Sequence, residues 1–227
     1  LHYPLRRQRQ MCIRDRLVFA DPGRANVEGA TTSEGAHRMI DIFLSASVPL
    51  PDRNRVFFDT ADVLAIREAI KALVEVVLPI GRITCGGHPA ITPLLALFSR
   101  EANLDRNRVA IYQSKLFEGR LPPELAEFVD VHMVPAVDGN REASLTAMRQ
   151  AMIESRRFSA AVFVGGMEGI YEEHKLFVEH HPKATVLPLS TTGAAAKIIY
   201  QQGEYDPIFS RDRTYSSLFR RKLLPVD

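Results

Sequence analysis

The apolar run 160–164, which Gly165 and Gly166 follow, constrains the fold of this chain more than any other stretch. Its residues, Ala-Ala-Val-Phe-Val, are all apolar, whereas a half-exposed strand would alternate with polar residues. We therefore predict a strand that is covered on both faces. Glycines at its carboxyl end let the backbone turn sharply, and a helix that begins there directs N–H groups and a partial positive charge at the same place. This pattern predicts an anion site, most simply for a phosphate.

The helix predicted after Gly166 separates two neighbouring glutamates. On a helical period of about 3.6 residues, Glu173 lies beside Ile170 and Phe177 on the apolar side, whereas Glu172 lies on the polar side. An inward carboxylate next to a phosphate pocket is a candidate for holding a ribose hydroxyl or for protonating a leaving group. The alternative is that both glutamates complement the helix dipole on a solvated surface.

Strands and helices alternate along the rest of the chain. From apolar runs and glycine or proline breaks we predict strands at 40–45, 82–85, 109–113, 132–137, 160–164 and 185–189. Helices are predicted at about 61–77, 90–100, 140–156 and 194–202, after Gly166, and near the C-terminus. This alternation predicts an α/β fold, a Rossmann-like three-layer sandwich with a mostly parallel sheet of about six or seven strands. We assign residues 17–38 to coil and residues 39–227 to one domain that includes the C-terminal helix.

Ligands of such sheets bind beyond the carboxyl ends of the strands. Several strand ends in this chain carry glycines or small hydroxyl residues, and arginines follow the first strand. The predicted ligand-binding residues are Ser45, Ala46, Ser47, Arg53, Gly86, Gly87, His88, Gln113, Ser114, Gly165, Gly166, Met167, Glu168, Gly169, Ser190, Thr191 and Thr192, with Glu173 as the candidate catalytic residue. Three of these interpretations have alternatives: Arg53 and Arg55 as solvated residues, His88 as a loop histidine bonded to backbone, and 190–192 as helix caps.

Composition excludes several classes of protein. The formal charge is +2, but residues 1–16 hold five arginines and one aspartate, a net +4, so the remainder carries −2 and does not indicate a nucleic-acid surface. The two cysteines are not in metal-ligand spacing, so we expect no metal site and a reduced compartment. We see no membrane span and no secretory signal, and expect a cytoplasmic protein. Neither the dinucleotide Gly-x-Gly-x-x-Gly pattern nor a Gly-Lys-Ser/Thr phosphate loop occurs.

The first sixteen residues have a separate interpretation. The stretch 11–16, Met-Cys-Ile-Arg-Asp-Arg, is similar to the translation of the transposon mosaic end used in sequencing libraries. We therefore expect residues 1–16 to be an assembly artefact and exclude them from the fold. The alternative is a basic arm that binds nucleic acid.

Two motifs of this chain resemble the SLOG superfamily, the Rossmann-like group that joins the Smf/DprA proteins, the Lonely Guy phosphoribohydrolases and the N-terminal region of TRPM channels. They are Gly-Gly-His-Pro-Ala-Ile at 86–91 and Gly-Gly-Met-Glu-Gly-Ile-Tyr-Glu-Glu at 165–173, and the prokaryotic TRPM-like branch is the most similar. The resemblance, over about 40–224, implies binding of a nucleotide or an ADP-ribose derivative such as ADP-ribose, cyclic ADP-ribose, NAD or a nucleoside monophosphate, without a further cofactor. It also implies a sensor in a bacterial antiphage system, with a defence effector or a TIR-type signal producer as partner.

The enzymatic branch of that superfamily uses a Pro-Gly-Gly-x-Gly-Thr-x-x-Glu motif to cleave the N-glycosidic bond of nucleoside monophosphates. Aligning Gly169 with the third glycine puts Glu173 on the catalytic glutamate. The departures are Val164 in place of the proline, Glu168 as an additional residue between the glycines, and Ile170 in place of the threonine. We therefore expect a sensor, with a phosphoribohydrolase as the alternative, DNA binding as the least supported function, and a homo-oligomer as the assembly.

Overall fold

The structure, a computed structural model, describes residues 39–52 and 54–224. The suspected artefact 1–16, the predicted coil 17–38 and Arg53 lie outside the described residues. The strands of the described part are β1 (Ile40–Ser47), β2 (Gly81–Gly86), β3 (Val109–Ser114), β4 (Asp130–Val134), β5 (Ala160–Gly165) and β6 (Thr185–Pro188). The helices there are α1 (Arg55–Phe58), α2 (Val63–Val77), α3 (Thr92–Glu101), α4 (Arg141–Glu154), α5 (Glu168–His180), α6 (Ala194–Gln202) and α7 (Tyr215–Leu223). Short 3-10 turns occupy Arg106–Arg108, Lys115–Arg120, Pro123–Glu127, Ser190–Thr192 and Pro207–Ser210.

Within the described residues the strands form one six-stranded sheet in the order β4-β3-β2-β1-β5-β6. All neighbouring pairs are parallel. β5 lies in the interior of this sheet and is buried along its whole length, as its unbroken apolar run predicts. The predicted α/β fold with a parallel sheet is confirmed.

Helices cover both faces of the sheet, because successive residues of each strand point to opposite sides. In β1, Ile42 and Leu44 pack with α2, α3 and α7, whereas Phe43 packs with α4, α5 and α6. These are the three predicted layers. The C-terminal helix α7 packs on α2. None of the helices in the described part is long and apolar enough to cross a membrane.

Several predicted boundaries differ from the structure by two or three residues, and two of these differences have an identifiable physical reason. The helix that we predicted from residue 61 begins at Val63, where the Asp62 side chain accepts a hydrogen bond from the Ala65 amide at 2.9 Å. The two residues that precede the predicted start have other partners: Thr60 donates to the Val56 carbonyl, and the Asp59 carboxylate accepts from Arg55 in the unpredicted helix α1. Strand β4 ends at Val134 rather than at 137, since Pro135 has no N–H to continue the ladder.

Candidate functional site

The direction of the sheet order reverses between β1 and β5. The chain adds β2, β3 and β4 on one side of β1 and then returns to add β5 and β6 on the other side. The carboxyl ends of the two central strands are adjacent, with Ser47 in register with Gly165. Ligands of open parallel sheets bind in the crevice beside such a reversal.

A cavity of about 380 Å³ lies there, within the range of roughly 300–1,000 Å³ that is common for small-molecule sites. Its walls come from the carboxyl ends of β1, β2 and β3, the segment after β3, one face of α4 and the first turns of α5. The lining residues are Leu44, Ala46, Ser47, Leu50, Cys85, Gly86, Gly87, His88, Pro89, Ile91, Gln113, Phe117, Arg120, Pro122, Arg141, Leu145, Met148, Arg149, Met167, Gly169, Ile170 and Glu173.

Glu173 lies in the wall of this cavity, and its side chain is 15% exposed. The Ser45 hydroxyl donates a hydrogen bond to Glu173 Oε2 at 2.6 Å, and Arg149 Nε lies 3.6 Å from Oε1. Burial raises the pKa of the Glu173 carboxyl above its ordinary value, although Ser45 and Arg149 both oppose that rise. The preceding Glu172 is exposed. The two glutamates therefore point to opposite sides of α5, as the helical period predicts.

Arg149 reaches the same wall from α4, and its side chain is 13% exposed. Its Nε is buried and has no hydrogen-bond partner among the described residues. The guanidinium passes so close to the first turn of α5 that a Cβ at Gly169 would lie 2.8 Å from Arg149 Nη2. A Cβ at position 169 would therefore require the end of the Arg149 side chain to shift.

His88 follows β2 and also lines the cavity. Its Nδ1 accepts a hydrogen bond from the Ala90 amide at 3.2 Å. His88 is therefore bonded to nearby backbone, which was the alternative interpretation of this residue. Burial lowers the pKa of His88 to about 4, and the ring is neutral at physiological pH. Because Nδ1 is an acceptor, the neutral ring carries its proton on Nε2 and presents a hydrogen-bond donor.

Gln113 holds the loop after β2 in place. Its Nε2 donates to the Gly87 carbonyl at 2.9 Å, and its Oε1 accepts from the Ser114 amide at 3.1 Å. A Cβ at Gly87 would lie 3.0 Å from Gln113 Nε2. Both residues line the cavity, and their contacts fix the position of the loop that carries His88.

The turn formed by Gly165 and Gly166 does not line the cavity. Both glycines have positive φ, +58° and +94°. The Gly165 amide donates to Thr192 Oγ1 at 2.8 Å, and the Gly166 amide donates to the Ser47 carbonyl at 2.9 Å. Since both donors are already bonded within the protein, this turn shapes the crevice but offers no amide to an anion, contrary to the expectation from the sequence.

Five more of the predicted residues line the cavity, namely Ala46, Ser47, Gly86, Met167 and Gly169, whereas Ser114, Glu168 and residues 190–192 do not. β6 is the edge strand beyond β5, so the turn that follows it is on the far side of the crevice. There Thr191 bonds to the Tyr215 hydroxyl at 2.8 Å, Thr192 Oγ1 donates to the Leu189 carbonyl at 2.6 Å, and Ser190 is half-buried. Ser114 caps the 3-10 turn after β3, and Glu168 is exposed.

Sequence reasoning missed the three arginines of the cavity, Arg120, Arg141 and Arg149. A signal for two of them was present, because Arg141 and Arg149 share the helical face of Leu145 and Met148 at spacings of four and eight residues. The arginine expected after β1, Arg55, is instead 81% exposed and paired with Asp59 at 3.1 Å.

Comparisons with known proteins agree with this architecture. The X-ray structure of TM1055, a target of the Northeast Structural Genomics Consortium, is similar to this chain with a TM-score of 0.53 and 15% identity, over 82% of this chain and 100% of that one. No curated protein matches the chain. The model of the SLOG cluster3 family matches residues 56–223, which include the β2 loop, α4 and the first turns of α5. The chain therefore belongs to the SLOG cluster3 family.

Proposed function

We propose that this protein is a sensor domain that binds a nucleotide or an ADP-ribose derivative in the cavity between α4 and α5. The observation that carries the proposal is the convergence of one buried carboxyl group and three arginines on a single cavity at the reversal of the sheet order. Carboxylates accept from sugar hydroxyls, and guanidinium groups bind phosphates. A nucleotide carries both sugar hydroxyls and phosphates.

The position of each polar group supports a distinct role. Glu173, held by Ser45, accepts from a ribose hydroxyl at the wall of the cavity. His88 offers an Nε2–H donor from the opposite loop. The apolar side chains of Leu145, Met148 and the other lining residues bury the non-polar face of the base or the sugar.

The proposal includes an antiphage role, which the resemblance to the SLOG superfamily supports and on which the cavity has no bearing. In that role the domain would act with a TIR-type enzyme that produces the signal and with a defence effector that responds to it. A binding measurement alone does not distinguish a sensor from a hydrolase. The distinction requires a test of whether the ligand is released chemically unchanged.

Calorimetric titration with ADP-ribose, cyclic ADP-ribose, NAD and AMP tests the proposal. We expect one of these compounds to bind wild-type protein, and Glu173→Gln to weaken that binding. Glu172→Gln is the matched control, because it makes the same change one residue away on the exposed side of α5. Absence of binding across the panel contradicts the proposal.

One observation favours a second function, that of a nucleoside 5′-monophosphate phosphoribohydrolase. A carboxyl group whose pKa is raised by burial is suited to protonate a leaving base. Release of free adenine from AMP that Glu173→Gln abolishes and Glu172→Gln preserves supports the hydrolase. Binding of AMP without release of adenine supports the sensor.

A further inference from the structure

Arg120 and Arg141 form the outer rim of the cavity. Both line it and both are exposed, in contrast to Arg149 and Glu173 in the wall. Arg120 ends the 3-10 turn after β3, and Arg141 is the first residue of α4. Two segments that are about twenty residues apart in sequence thus bring guanidinium groups to one opening.

Neither of these two arginines forms an ion pair with a carboxylate among the described residues. In the part of the chain that the structure describes, no carboxylate lies within 4.0 Å of either guanidinium. Arg149, by contrast, has Glu173 at 3.6 Å. The charged lining residues are three arginines and one glutamate, so the lining carries a net +2 with Glu173 ionised. That excess lies at the rim.

The rim is separate from the part of the wall that holds Arg149 and Glu173. Arg141 and Arg149 are eight residues apart on α4, which at a rise of 1.5 Å per residue corresponds to about 12 Å along the helix. The Arg141 guanidinium lies over the Phe117 ring, 6.0 Å from its centroid, so an aromatic side chain helps to hold it at the opening. A ligand whose sugar contacts Glu173 therefore meets a second cationic site further out.

The glycine turn does not compete for the anionic group of such a ligand. The amides of Gly165 and Gly166 are bonded to Thr192 and to the Ser47 carbonyl. A Cβ at Gly166 would lie 2.0 Å from Ile170 Cδ1, so the space beside this turn is filled by protein. Among the charged side chains that line the cavity, the positive charge is carried by the arginines.

We propose that Arg120 and Arg141 form a phosphate subsite at the rim, which selects ligands with a dianionic phosphate group or a diphosphate beyond the sugar. This inference rests on the proposed function and adds to it the position of the anionic group. Guanidinium groups suit this role because they donate to phosphate oxygens in a planar, bidentate geometry. The two sources of this chemistry, a phosphomonoester and a diphosphate bridge, are represented by AMP and ADP-ribose.

The test compares wild-type protein with the double variant Arg120→Gln/Arg141→Gln. The matched control, Arg55→Gln/Arg157→Gln, removes two positive charges at exposed positions outside the cavity. Each protein is titrated with AMP, ADP-ribose and inorganic pyrophosphate at fixed ionic strength. We expect the rim variant to bind the preferred nucleotide and pyrophosphate roughly a hundredfold more weakly, about tenfold for each arginine, and the control to bind them as wild type does.

The outcomes distinguish failure of the subsite from failure of the proposed function. Equal affinity of the wild type and the rim variant for the nucleotide or for pyrophosphate overturns the subsite and leaves nucleotide binding intact. Arginine-dependent binding of pyrophosphate without binding of AMP or ADP-ribose supports the subsite and contradicts the nucleotide function. Failure of all three compounds to bind the wild type overturns both.

Discussion

Glu173→Gln is expected to stabilise the folded protein at neutral pH, and by an amount that grows with pH. Burial raises the folded-state pKa of Glu173 above its ordinary value of 4.5. The folded state therefore binds a proton at Glu173 that the unfolded chain has already released. A group of this kind contributes its full stability below pH 4.5, and this contribution is lost as the pH rises through the folded-state pKa.

The size of the effect follows from the same linkage. Each unit by which the folded-state pKa exceeds the unfolded one costs about 1.4 kcal/mol of stability at neutral pH. Glutamine does not titrate, and its side-chain oxygen still accepts from the Ser45 hydroxyl. For a chain of this length each kcal/mol corresponds to roughly 2–4 °C in Tm. The pH profile of the stability difference thus reports the pKa shift directly.

The assay is urea unfolding of wild type, Glu173→Gln and Glu172→Gln from pH 4 to pH 8.5. The stability of Glu173→Gln relative to wild type should rise above pH 4.5 and then level off. His88 titrates below pH 6.5 but is present in all three proteins, and burial raises the pKa of the Cys85 thiol to about 12, outside this range. A difference for Glu173→Gln that is independent of pH, or that falls as the pH rises, refutes the assignment of Glu173 as a buried carboxyl with a raised pKa.

Three other predictions follow from the cavity and the turns around it. Gly169→Ala should stabilise α5 by about 0.5–1 kcal/mol in urea unfolding, yet lower the affinity for ADP-ribose about tenfold, because its Cβ displaces the Arg149 guanidinium; an unchanged affinity would remove Arg149 from the site. The pKa of His88, followed by NMR titration of its ring protons, should be about 4, and a value at or above 6.5 would contradict its burial as a neutral donor. Gly165→Ala should lower stability by about 2 kcal/mol or more, because φ is +58° and a Cβ would lie 2.5 Å from Ile66 Cδ1. Gly119→Ala is the control for that loss, since nothing lies within 4 Å of its Cβ position.

The elements of the fold were predictable from local patterns. The strands begin within two residues of their predicted starts, and α6 occupies Ala194–Gln202 as predicted. Apolar runs, glycines and prolines influence the backbone over only a few residues, so the strands and helices that they determine can be predicted from the local sequence. Helix α1 was missed because its four residues are too few for a helical stripe.

The site was predictable only in part, since its geometry depends on the order of the strands. The sequence indicated that glycine and hydroxyl corners meet at one edge of the sheet, and the corners of β1, β2 and β3 do enclose the cavity. It did not indicate that β6 is the edge strand, which takes residues 190–192 away from the cavity. Nor did it indicate that distant groups, Thr192 Oγ1 and the Ser47 carbonyl, already accept from the glycine amides.

The cationic side of the cavity illustrates the same limit. We assigned the phosphate to glycine amides and to arginines after β1, because those lie close to the motif in sequence. The structure instead brings Arg141 and Arg149 from α4, which packs against α5, and Arg120 from the turn after β3. Contacts between α4 and α5 depend on the whole fold. Helical spacing within α4, by contrast, could have indicated that Arg141 and Arg149 share one face of that helix.

A crystal structure of the protein grown with ADP-ribose is the most direct test of the nucleotide site. We expect density for the nucleotide in the cavity between α4 and α5, with a ribose hydroxyl within hydrogen-bond distance of Glu173 and phosphate oxygens against Arg120 and Arg141. Nucleotide density at another surface, or a saturated crystal in which Glu173 contacts no part of the ligand, would contradict it.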